Sequence, residues 1–213
     1  EHFEPGWDAA ETEQLFALLE QQVVPEFYDR DADGIPRAWV ARCGGDSRAA
    51  SVFNGLSAML QAGVDPEDWV LVHDAARPLV QQQDILQLLH TCVSANQGGI
   101  LACRVRDTMK RTDGAGNIVA TVEREQLWHA LTPQMFPAGT LKRALEEGLA
   151  LGALITDEAS AMERAGFPVR MVEGRADNIK VTRPEDLSLA GLYLQQQRAC
   201  RSARPDSSPE EQA

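Results

Sequence analysis

From Gly44 onward the chain alternates short apolar runs with stretches of helical periodicity, and this alternation restricts the fold more than any other feature. Asp46 or Ser47 stands where a helix N-cap belongs, ahead of Val52, Leu56, Met59 and Leu60, and Gly63 is placed to stop that helix. Trp69–Val72 is a compact apolar run that reads as a buried parallel strand. A helix over 84–94, closed by Asn96 and Gly98, leads to a second strand over 100–105. Helices follow at about 138–150 and 157–165, then short strands at 169–172 and 179–181. Thr182-Arg-Pro-Glu185 reads as a capping box that opens a last helix to about Gln197. Such alternation predicts a layered α/β domain with a mostly parallel sheet. Between its strands, residues 108–122 read as two strands around an Asp113-Gly-Ala-Gly-Asn117 loop. The pair is too polar to be buried, so it is expected to leave the main sheet as an arm.

Composition breaks at Cys43-Gly44 and after Arg198 divide the chain into residues 1–43, 44–198 and 199–213. Of the net charge of -12, -7 falls on residues 1–43. An acidic chain without a basic face argues against nucleic-acid binding, while a local Arg/Lys cluster can still hold an anionic small molecule. No apolar run approaches the roughly 18 residues of a membrane span. The four cysteines show no metal-ligand spacing and read as free packing thiols of a reducing, cytoplasmic compartment. The Pro/Ser-rich tail over 199–213 is expected to be disordered.

Residues 1–43 read as a helical, acidic appendage, with helices over about 9–24 and 36–42. Asp29-Arg-Asp-Ala-Asp33-Gly34 matches the opening of an EF-hand loop, but Pro36 and Val40 occupy positions where that loop needs an apolar residue and a bidentate Glu. An acidic surface turn is the simpler reading. Residues 10–42, through the stretch Val24–Val40, resemble a short segment of bacterial α-glucan phosphorylases and include none of that family's cofactor or substrate site.

Chemistry-bearing residues sit where apolar runs end. Asp74 and Arg77 follow the 69–72 run, and in open α/β sheets ligands bind beyond the carboxyl ends of strands. Asp74 could hold Mg²⁺ and Arg77 could grip phosphate, or the two could form a structural ion pair. Thr108 follows Arg106-Asp107, Thr132 follows Ala130-Leu131, and Thr156 precedes Asp157 and Glu158, where it could equally cap a helix. Lys180 interrupts the last strand, which suits either a cleft or a solvated strand face.

Six stretches, in order, resemble the 2-C-methyl-D-erythritol 4-phosphate cytidylyltransferase family. They are Gly44–Ser51, Val70-Leu-Val-His-Asp-Ala-Ala-Arg-Pro78, Val105–Arg111, Trp128-His-Ala-Leu-Thr-Pro-Gln134, Ile155-Thr-Asp-Glu-Ala-Ser160 and Glu173–Asp186. The resemblance implies a Rossmann-like nucleotidyltransferase sheet with a projecting β-arm at 106–123. It implies cytidylyl transfer from CTP to methylerythritol phosphate with release of pyrophosphate, supported by Mg²⁺ at Asp74. Asp74, Arg77, Thr108, Thr132, Thr156 and Lys180 would surround methylerythritol phosphate, and Arg124 would reach it from a partner subunit. Gly45, Asp46, Ser51 and Ala75 would line the cytidine pocket. Arg124 and Lys180 would be the catalytic pair, in a homodimer hooked together by its arms.

The family opens with a strand and a Gly-rich, Arg-bearing phosphate loop followed by a Lys, and no such loop is recognisable here: the first Lys of the chain is Lys110. The resemblance therefore implies pyrophosphate release at least about a thousandfold below an intact relative. Two other readings stay open: a remnant that binds substrate without turnover, and a calcium-linked interaction protein built on Asp29–Asp33.

Overall fold

A computed structural model describes residues 40–202. The helices expected over 9–24 and 36–39, the Asp29–Asp33 turn and the phosphorylase-like stretch lie outside the described residues. Residues 40–42 carry no helix, so the expected second helix does not reach Arg42.

The described chain divides into two compact units, one of residues 40–69 and 137–167, the other of 70–136 and 168–202. Three helices make the first: α1 (Arg48–Gln61), α3 (Ala138–Ala150) and α4 (Glu158–Arg164). Ser47 caps α1 by accepting from the Ala50 amide, and the chain turns after it at Gly63, whose φ of 100° suits glycine. α3 packs against both α1 and α4, and Leu56, Leu141, Leu145, Ala161 and Met162 are buried there. The start of α3 is tied down by the Ala138 amide, which donates to the Asp68 carbonyl at 2.8 Å.

The second unit carries a four-stranded sheet in the order β1-β5-β2-β6, from β1 (Trp69–Val72), β2 (Gly99–Arg104), β5 (Trp128–Pro137) and β6 (Arg170–Glu173). α2 (Gln82–Ala95) packs on β2 and β6, with Leu88 and Cys92 fully buried, and ends on Asn96 in the left-handed conformation. The arm forms its own antiparallel pair, β3 (Met109–Thr112) with β4 (Ile118–Val122). The last helix, α5, runs from Pro184 to Ser202.

The structure departs from the sequence-based reading in several places. The sheet is mixed and not wholly parallel: β2 runs parallel to β6 but antiparallel to β5. β5 is also longer than the Ala130-Leu131 run suggested, because Thr132-Pro133-Gln134 continues it. Ile100 pairs with Gln134 while Ala102 pairs with Ala130, so residues 131–133 bulge opposite Leu101. A proline is tolerated in such a bulge because no ladder bond needs its missing N–H. Residues 179–181 form no strand: the Val181 amide donates instead to the Ala76 carbonyl in a turn, at 2.8 Å. Finally, α5 continues four residues into the expected tail, since Ala199-Cys-Arg-Ser202 contains no helix breaker before Pro205. Its cap also differs. Asp186, not Glu185, reaches back to the amides of Thr182 and Arg183.

Candidate active site

β1 delivers the chain at Val72 into a tight turn, closed by the Arg77 amide donating to the Asp74 carbonyl at 2.9 Å. Asp74 points its Oδ2 at Lys180 Nζ, 3.0 Å away, and at Arg77 Nε, 3.9 Å away. Asp74 and Arg77 are largely buried, whereas the Lys180 side chain is 42% exposed. One carboxylate between two cations leaves a net positive charge at the end of an apolar strand, which suits an anionic ligand. Lys180 is thus neither a buried lysine nor part of a solvated strand face. It lies on an irregular segment held against the Asp74 turn by the Val181–Ala76 bond.

Two residues absent from the sequence-based site complete the cluster. Asn178 is 1% exposed; its carbonyl accepts from Arg77 Nη1 at 2.7 Å and its Nδ2 donates to the Thr132 carbonyl at 2.9 Å. Its Oδ1 is buried without a hydrogen-bond partner. His73 sits within hydrogen-bond distance of both Thr132 Oγ1 (3.0 Å) and the Arg77 carbonyl (2.9 Å). Thr132 Oγ1 also accepts from the Asp74 amide at 3.0 Å. Asp74, Arg77, Thr132 and Lys180 are therefore brought together as expected. Ala75 lies in the same turn, between Asp74 and Arg77. Arg175 clamps Asp177 with two bonds of 2.9 and 2.7 Å immediately before Asn178, and fixes the approach to that segment.

The remaining predicted residues fall elsewhere. Gly45 and Ser51 belong to the first unit, where the Gly45 amide donates to Ser51 Oγ at 3.0 Å. A Cβ on Gly45 would stand 2.6 Å from Ala50 Cβ, so only glycine allows this close approach. Asp46 is exposed beside it. Thr156 lies in this unit too, and it does not cap α4: Asp157 does, accepting from the Ser160 amide at 2.9 Å while Ser160 Oγ receives the Asp157 amide. Thr156 stands one residue earlier, with its own amide on Ser160 Oγ. The fully buried Glu158 takes a two-bond fork from Arg48, at 2.6 and 3.0 Å, and so joins the start of α1 to the start of α4. Neither partner was singled out from the sequence.

Thr108 and Arg124 flank the arm strands and are exposed. Arg124 Nη1 donates to the Arg106 carbonyl, and with Arg104, Arg106 and Glu173 it lines an open cavity of about 410 Å³. The structure does not bring Thr108 or Arg124 into the hydrogen-bonded cluster around Asp74.

Comparison with known proteins places this geometry. A profile of the 2-C-methyl-D-erythritol 4-phosphate cytidylyltransferase family matches residues 13–196, and so begins well before the composition break at Gly44. The protein of that name from Aeromonas hydrophila subsp. hydrophila is 70% identical over 170 residues, covering 80% of this chain and 67% of the relative. That from Pseudoalteromonas translucida is 57% identical over 160 residues, covering 74% of this chain and 64% of the relative. The chain thus spans about two thirds of the length of these relatives. A crystal structure of 4-diphosphocytidyl-2C-methyl-D-erythritol synthase superposes with a TM-score of 0.64 at 44% identity, over 71% of this chain and 69% of the other. The synthase from Anaerococcus prevotii gives 0.67 at 27% identity, over 88% of this chain and 78% of that one. The chain belongs to the 2-C-methyl-D-erythritol 4-phosphate cytidylyltransferase family.

Proposed function

We propose that the chain carries out cytidylyl transfer from CTP to 2-C-methyl-D-erythritol 4-phosphate, giving 4-diphosphocytidyl-2-C-methyl-D-erythritol and pyrophosphate. The observation that carries this reading is the convergence of Lys180 and Arg77 on Asp74 at the end of β1. The nucleophile is a phosphate that is already anionic, so the protein needs no general base. Its work is to hold two anions in line and offset their charge. In the second unit Arg77 and Lys180 supply that charge, Asp74 orients both, Thr132 adds a hydroxyl contact and Ala75 lies in the same turn. In the first unit, taken by itself, Gly45, Asp46 and Ser51 are the residues proposed for cytidine and Thr156 for a substrate hydroxyl contact.

Among the described residues no three His, Cys, Asp or Glu converge on one point. That donor set fits Mg²⁺ only as an ion carried in on the triphosphate, with Asp74 as its protein oxygen. There it would offset phosphate charge. The exposed arm, with Met109, Ile118 and Val119 open, suits pairing in a homodimer in which Thr108 and Arg124 reach the partner's substrate. The free thiols agree with a cytoplasmic setting, and among the described residues no helix is long and apolar enough to cross a membrane.

Calorimetric titration with methylerythritol phosphate tests the reading. Lys180→Ala should weaken binding by about 2 kcal/mol, the loss of one charge-assisted hydrogen bond. Its effect on stability should stay below about 1 kcal/mol, because the pair with Asp74 is half open to water. Equal affinities for the two proteins would sink the reading. Pyrophosphate release from CTP then separates a transferase from a site that binds without turnover.

A further inference from the structure

We propose that His73 is a positioning residue of this site: as the Nε2–H tautomer it holds both ends of the Asp74–Arg77 turn and fixes the direction of the Thr132 hydroxyl. The inference rests on the functional reading above and extends it to a residue that touches no substrate.

The assignment follows from what each partner can offer. The Arg77 carbonyl oxygen can only accept, so the ring nitrogen 2.9 Å from it, Nε2, must carry the hydrogen. In the neutral ring Nδ1 is then an acceptor, and the atom 3.0 Å away is the Thr132 hydroxyl oxygen. Thr132 therefore donates to Nδ1. The same oxygen accepts from the Asp74 amide at 3.0 Å. One imidazole thus links the carbonyl that ends the turn, at Arg77, to the amide that begins it, at Asp74, through one threonine. The two charged side chains that face Lys180 or receive it are carried on that turn.

The same chain of bonds sets what Thr132 can do. Its hydrogen is committed to His73 and one lone pair to the Asp74 amide, which leaves one lone pair. Thr132 then presents an acceptor to the ligand. It suits a hydroxyl of the polyol and not a phosphate oxygen, which leaves the phosphate to Arg77 and Lys180. Asp74, Arg77 and Lys180 are the charged groups around this arrangement.

Two measurements test it, and the first does not depend on activity. In the ¹⁵N-labelled, unaltered chain at pH 8, long-range ¹H–¹⁵N correlation should show His73 Nε2 protonated and Nδ1 bare. The opposite tautomer, or a doubly protonated ring, overturns the proposal. The second is calorimetric affinity for methylerythritol phosphate. His73→Ala should weaken binding about tenfold. His73→Asn, whose amide oxygen reaches the place of Nδ1, should recover part of that loss. Thr132→Val added to His73→Ala should cost less than it does alone, because the two residues act as one unit. Equal binding by His73→Ala and the unaltered chain overturns the inference and leaves the functional reading standing. So does a loss that His73→Asn does not relieve and that adds fully to Thr132→Val, the signature of a merely structural histidine. Failure of the unaltered chain to bind overturns both.

Discussion

Removing Arg48 should expose how the first unit is held together. Glu158 is fully buried and its two oxygens take the Arg48 fork at 2.6 and 3.0 Å. In Arg48→Met the aliphatic stem is kept and the charge is lost, so a buried carboxylate is left without its cation. Breaking a buried pair from one side costs about 3–5 kcal/mol. The variant should therefore lose about 3–5 kcal/mol, or roughly 6–20 °C in Tm for a chain of this size. Thermal unfolding of both proteins measures this. Arg48→Met combined with Glu158→Leu should recover most of the loss, since neither charge then remains buried. A double variant no better than the single one would refute the argument that an orphaned charge is the cause.

Three further outcomes follow from the geometry. Asp113 has its pKa held below the usual aspartate value, first by the Asn117 side chain and then by the Asn117, Ala115 and Gly116 amides. A depressed carboxyl stabilises the loop above the ordinary aspartate pKa and loses that effect as pH falls through the lowered value, so hydrogen-exchange protection of the Ala115 and Asn117 amides should fade below about pH 4 and should not do so in Asp113→Asn. Gly45→Ala should shift the loop, because the new Cβ would meet Ala50 Cβ at 2.6 Å, and should weaken CTP binding; unchanged affinity would remove Gly45 from the cytidine pocket. Burial pushes the Cys92 thiol up to about 11, against a smaller lowering influence of Arg170, so iodoacetamide at pH 8 should alkylate the exposed Cys200 and spare Cys92, as mass spectrometry of the peptides would report.

What could be read from the sequence divides along physical lines. The start of α1 was legible because its signal is local: Ser47 caps its own helix within three residues. The Trp69–Val72 strand matched its apolar run, since a short uninterrupted run flanked by polar residues leaves few alternatives. β5 was not legible, because Thr132-Pro133-Gln134 breaks the apolar pattern and the bulge that excuses the proline is a property of its pairing with β2. The cap of the last helix misled for the opposite reason. Glu185 and Asp186 are adjacent acids, and it is Asp186 that takes the Thr182 and Arg183 amides.

The site itself was half legible, and which half is explained by the atoms involved. Asp74, Arg77 and Lys180 act through side-chain charge, and a charge at the end of an apolar run is visible as a sequence anomaly. Asp74 and Lys180 meet in the structure, so the reading extends to their partnership. His73 and Asn178 act on backbone atoms: the Arg77 carbonyl and the Thr132 carbonyl are among the receivers. Every residue has a carbonyl and nearly every residue an amide, so a side chain aimed at one leaves no compositional trace. The partners are also remote: His73 meets Thr132 59 positions away, and Arg77 meets Asn178 101 positions away. Such bonds exist only once β1 and β5 lie side by side in the sheet. The groups that offset charge can therefore be proposed from sequence, while the groups that aim them are assembled by the sheet. A substitution that spares every charged residue but alters the β5 bulge should move Thr132, and with it the amide of Asp74.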